Sequence, residues 1–176
     1  ISDADIVPCK KEYFVDSIEN IDDDKFITYR DAYIKQEMYG ICYNIANSNT
    51  WKKVFNIKTE DDIRNMLKIW YNHNYTGRKN CSGWYTDQKM LFKYLQDFPD
   101  HIILKDKELH FSRLDKRQRN FIARIDKQLI ENIKNKRYTD FHFIRPYSRY
   151  YKTIIKICDY IKVYNSYLHT AQIDEK

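Results

Sequence analysis

Ile1-Ser2-Asp3-Ala4-Asp5-Ile6-Val7-Pro8 sets two aspartates one residue apart between apolar flanks, with a proline to follow. Read as the end of a buried strand, the stretch delivers Asp3 and Asp5 into a loop. Two carboxylates so placed can offer oxygens to one hard divalent cation, whose shell substrate phosphates then complete. With the helices and strands that hydrophobic spacing predicts along the sequence, the expected architecture is an α/β chain. With 18 aspartates in 176 residues, roughly two such D-x-D triplets arise by chance, so spacing alone is a weak signal. The second, Asp22-Asp23-Asp24, reads as a solvated loop, whereas apolar residues bracket the first.

Composition narrows the partners. The formal charge is +6, but basic and acidic residues alternate along most of the chain, so no basic stripe marks a nucleic-acid surface. Three glycines, three prolines and 16 tyrosines, with abundant Lys, Ile and Asn, carry the imprint of AT-rich codons. The tyrosines are therefore poor evidence for base stacking. Cys9, Cys42, Cys81 and Cys158 are widely spaced, with no C-x-x-C pair, and read as buried free thiols. No run approaches the roughly 20 apolar residues of a membrane span. The chain reads as soluble, with the cytoplasm favoured, and as one domain or fragment over residues 1–176.

Hydrophobic spacing predicts the elements. Tyr13, Phe14 and Ile18 suggest a helix over 9–20, Phe26, Ile27 and Tyr29 a short strand, and 39–47 a buried strand. Thr59 and Asp62 have capping-box spacing before a helix whose expected face is Ile63, Met66, Leu67 and Trp70. The stretch 72–82 reads as an exposed loop. A helix opening at Thr86 or Asp87 buries Met90, Leu91, Tyr94, Leu95 and Phe98, and Pro99 ends it. Residues 101–104 and 109–111 suggest a hairpin, and 113–137 a loop followed by an exposed helix. A final amphipathic helix from Ser148 carries Tyr151, Ile154, Ile155, Cys158 and Ile161.

Two further segments carry chemistry. In Gly83-Trp84-Tyr85-Thr86-Asp87-Gln88 a helix start sets a carboxylate beside a carboxamide, suited to accepting a hydroxyl proton and bonding a second hydroxyl. Asp87 equally suits a simple helix-start role, complementing the dipole. In Asp140-Phe141-His142-Phe143-Ile144-Arg145, alternation sets Asp140, His142 and Ile144 opposite Phe141, Phe143 and Arg145. His142 is a candidate ligand or a solvated side chain, and Arg145 a phosphate partner or an ion-pair member.

In their order, these three segments resemble the GT-A-fold glycosyltransferases that use nucleotide sugars. The resemblance implies a Rossmann-like mixed sheet flanked by helices, and transfer of a sugar from a UDP- or GDP-sugar to a glycan or other acceptor hydroxyl. It implies a Mn2+ or Mg2+ ion held by Asp3, Asp5 and His142, with Asp3 also touching the ribose. Asp87 becomes the catalytic residue, with Gly83, Trp84 and Gln88 shaping the acceptor side. Arg145 or Arg113 offsets charge on the departing diphosphate. The family's nucleotide-binding units, which precede its D-x-D, have no counterpart in this sequence, so the expectation is a catalytic C-terminal part. A basic nucleic-acid-binding module centred on 113–137, and an inactive glycosyltransferase-like remnant, are the alternatives.

Overall fold

The computed structural model describes residues 4–72, 83–115 and 125–171. The elements are β1 (Ile6–Pro8), α1 (Lys11–Phe14), β2 (Phe26–Tyr29), β3 (Asn44–Ile45), α2 (Ser48–Phe55), α3 (Glu60–Asn72), α4 (Thr86–Leu95), β4 (His101–Leu104), β5 (Arg113–Leu114), α5 (Lys127–Lys134), β6 (Asp140–His142) and α6 (Tyr147–Ala171). The class is mixed α/β, as expected, with two small mixed sheets among the described residues. The described residues divide into two compact units. One lies within Asn20–Leu109, and the other combines Ala4–Glu19 with His110–Lys176. No Gly- or Pro-rich linker marks either crossing between them.

In the first unit β2 is the central strand, antiparallel to β3 and parallel to β4. All four of its residues are buried, which is why Phe26-Ile27-Thr28-Tyr29 reads as a continuous run and not an alternation. Phe26 packs with Tyr39, Val54, Leu91 and Leu95, and Trp51 stacks on Phe55 beside this core. Asn47 caps α2 by accepting the Thr50 N–H at 2.8 Å. The Thr59–Asp62 box forms as expected, each side chain accepting the other residue's backbone N–H.

Three expectations in this unit are corrected. The strand over 39–47 shrinks to the two residues of β3. Tyr43 sits at φ 69°, and the Asn44 amide donates to the Gly40 and Ile41 carbonyls, so a local turn replaces a ladder. Of the apolar face expected on α3, Met66 and Trp70 are half-buried, while Ile63 and Leu67 lie exposed. The hairpin over 101–111 is absent. β4 pairs with β2 instead, and the following turn is held by the Arg30–Asp106 ion pair and by the Leu109 N–H donating to the Lys105 carbonyl. The loop expected over 72–82 lies, from residue 73, outside the described residues.

In the second unit β6 is central, antiparallel to β1 and parallel to β5. Its core gathers Leu114, Leu129, Ile133, Phe141, Ile144, Ile154, Ile157 and Ile161. α5 is accordingly not an exposed helix, since Leu129 and Ile133 anchor it. α6 buries Ile154, Ile157 and Ile161, leaving Tyr151 and Ile155 in solvent. The strand near the D-x-D is displaced too: β1 follows Asp5, and Ala4 and Asp5 form a turn that leads into it. Cys9 and Cys42 are buried, and Cys158 is half-buried. Burial, reinforced by Asp140 and Cys158, pushes the Cys9 thiol far up, so it stays protonated and un-nucleophilic.

Candidate functional site

The antiparallel pairing of β1 with β6 sets Ile6 opposite His142, and just beyond it the Phe143 N–H donates to the Asp5 carbonyl at 2.9 Å. Backbone bonds thus fix Asp5 beside the end of β6. The Arg145 guanidinium donates to Asp5 Oδ2 at 2.7 Å and the Tyr147 hydroxyl donates to the same oxygen at 2.6 Å. His142 Nε2 stands 3.3 Å from that oxygen. Arg145 also donates through Nε to the Tyr147 oxygen at 2.9 Å, closing a triangle of Arg145, Tyr147 and Asp5.

Electrostatics follow from this geometry. Partial burial opposes ionisation of Asp5, but the Tyr147 and Arg145 hydrogen bonds, with the charges of His142 and Arg145, outweigh it and lower the carboxyl from 3.8 to about 2. The same contacts hold Arg145 firmly protonated. Burial and the bond to Asp5 raise the Tyr147 phenol, which remains the donor. The Asp5 side chain is 15 % exposed, His142 36 % and Arg145 57 %, so the cluster has a buried base and a cationic rim.

The residues expected on the acceptor side belong to the other unit. Gly83 is buried, Trp84 and Gln88 are half-buried, and Asp87 is exposed in the first turn of α4. Asp87 Oδ1 accepts the Gln88 N–H at 2.8 Å, and the Thr86 hydroxyl donates to the Gly83 carbonyl at 2.8 Å. These are the bonds of a helix start. Arg113, the second candidate for the diphosphate, faces inward: it grips the fully buried Asp140 carboxylate through Nε at 2.9 Å and Nη2 at 2.6 Å. Sequence reading missed Tyr147, whose only signal was its position two residues beyond Arg145.

Of the expected metal ligands, Asp5 and His142 do come together, and Asp3 lies outside the described residues. Among the described residues no group of three or more His, Cys, Asp and Glu side chains is set to hold a cation. The Asp5 oxygen nearest His142 already accepts from Arg145 and Tyr147, and a guanidinium there repels a divalent ion. As arranged, Asp5 and His142, the two expected ligands among the described residues, do not offer that oxygen to a metal. No helix among the described residues is long and apolar enough to cross a membrane. Compared with protein-family models, with curated proteins and with solved structures, the chain matches none.

Proposed function

We propose that the chain takes part in glycosyl transfer from a nucleotide sugar to an acceptor hydroxyl, on a GT-A-like arrangement. The observation that carries this reading is the convergence of Asp5, from the D-x-D, with His142 and Arg145, from the C-terminal segment that the resemblance pairs with it. The mixed α/β class is compatible with the fold and supports it no further.

In this reading the bond from the anomeric carbon to the diphosphate oxygen breaks and the acceptor oxygen forms the new bond. The leaving nucleoside diphosphate gains negative charge, which N–H donors of Arg145 and His142 meet. Asp5 and Tyr147 hold Arg145 in place. The resemblance assigns the acceptor proton to Asp87 and acceptor binding to Gln88 and Trp84, which are residues of the other unit. No step passes through a metal.

Calorimetric titration of the chain with UDP, GDP and their sugars, followed by an assay for released nucleoside diphosphate, tests the reading. Binding of a nucleotide sugar that Arg145→Ala weakens tenfold or more is expected. No binding of any nucleotide sugar, alongside salt-sensitive binding of oligonucleotides, transfers the assignment to a nucleic-acid-binding module.

A further inference from the structure

We infer that Arg145 is the resident counter-ion of Asp5, standing where a divalent cation would otherwise be bound, and that the cluster takes a diphosphate directly on Arg145 and His142 without metal. The diphosphate as substrate class rests on the glycosyl-transfer reading, while the exclusion of metal from Asp5 Oδ2 rests on the geometry around that oxygen.

The geometry is the convergence of three groups on one carboxylate oxygen. Arg145 Nη2 at 2.7 Å, the Tyr147 hydroxyl at 2.6 Å and His142 Nε2 at 3.3 Å surround Asp5 Oδ2. A carboxylate oxygen has about two lone-pair directions, so a cation reaches this one only by displacing a donor. Displacement is opposed twice. The Arg145 Nε bond to Tyr147 ties the guanidinium to the same phenol that bonds Asp5, and its carbon lies 5.6 Å from the centre of that ring. Asp5 itself is pinned through its carbonyl by Phe143.

Charge points the same way. A metal-binding carboxylate offers an unpaired negative charge, whereas the Arg145 guanidinium offsets that of Asp5. N–H donors at the rim suit a diphosphate. The guanidinium uses Nε and Nη2 inside the cluster, and its side chain is 57 % exposed, so a planar donor edge faces solvent at the rim. Planar guanidinium donors match paired phosphate oxygens.

The experiment titrates UDP, a UDP-sugar and inorganic pyrophosphate into the wild-type chain and into Arg145→Met and Asp5→Asn, each with EDTA and with Mn2+. Mn2+ binding is also followed alone by electron paramagnetic resonance. Circular dichroism melts show whether the variants fold; Arg145 lies at the surface, and Asp5→Asn keeps the side-chain shape. The expected result is equal diphosphate binding in EDTA and Mn2+, weakened tenfold or more by Arg145→Met, with Mn2+ binding gained in that variant and absent from wild type. Diphosphate binding that requires Mn2+ and vanishes in Asp5→Asn overturns the inference while sparing the glycosyl-transfer reading. Metal-free pyrophosphate binding as tight as that of the UDP-sugar upholds the anion site and sinks glycosyl transfer. No metal-free binding of any probe overturns the inference.

Discussion

Arg113 and Asp140 show how far a single pair governs the second unit. Their side chains are 11 % and 0 % exposed, and the guanidinium spans both carboxylate oxygens. Breaking a buried ion pair by removing one partner costs about 3–5 kcal/mol, whereas removing both spares part of that penalty. Arg113→Met is therefore expected to lower stability to urea by an amount in that range. The double variant Arg113→Met/Asp140→Leu is expected to lose less than the sum of its single changes, by about 1 kcal/mol or more. Additive losses would mean the two side chains act independently. The same residue-level view explains why Arg113 was a poor guess for the diphosphate. Its charge is legible in sequence, but the register that sets Arg113 beside Asp140, parallel β5 against β6, is not.

Elements were legible where a local rule suffices and illegible where a distant partner decides. The Thr59–Asp62 box is such a rule; Asn47 ahead of Ser48-Asn49-Thr50 is another local cap, although no helix was expected over Ser48–Phe55. The Asn47 side chain accepts the Thr50 N–H and its amide donates to the Asp23 carbonyl at 2.7 Å. Asn47→Ala should cost about 1 kcal/mol, measured by thermal or urea melts, and a change near zero would show that the cap contributes nothing. On α6 the helical period is clear in the sequence, but the buried face is not, because apolar residues occupy neighbouring positions. Ile157 is 0 % exposed and Ile155 44 %. Ile157→Ala should cost about 2–5 kcal/mol by cavity formation, and Ile155→Ala about 0.5 kcal/mol or less as a surface change. Equal costs would contradict the packing. The hairpin expected around Lys105-Asp106-Lys107 failed for a related reason: Asp106 pairs with Arg30, so a long-range ion pair shapes the turn.

At the scale of the whole molecule, the candidate site joins chain segments that sequence could only line up by order. Asp5 and His142 were both legible as residue types. Their meeting depends on β1 pairing antiparallel with β6, and β1 is a three-residue strand too short to be read from alternation. Each unit also carries its own acid-sensitive group. In the first, burial lowers His101 from 6.5 to about 4, against a smaller pull from a hydrogen bond to the Leu95 carbonyl; its Nε2 lies 3.0 Å from the Thr28 hydroxyl. The unfolded chain then binds the proton more readily than the folded one. His101 therefore contributes full stability above pH 6.5 and loses it as pH falls toward 4, by about 2 kcal/mol once its partial exposure is allowed for. In the second unit Asp5 is lowered from 3.8 to about 2, so its contribution is complete above pH 3.8 and lost only as pH falls toward 2. With Arg145 57 % exposed, solvent screening leaves that contribution at about 1 kcal/mol. Trp51, Trp70 and Trp84 all lie between Asn20 and Leu109, so indole fluorescence reports on the first unit. Urea melts followed by that signal should weaken between pH 6.5 and 4 in wild type and flatten in His101→Gln. Asp5→Asn should leave this window unchanged and alter only the limb below pH 4, read by far-ultraviolet circular dichroism. Loss of the upper window in Asp5→Asn, or its persistence in His101→Gln, would place the acid sensitivity on other groups.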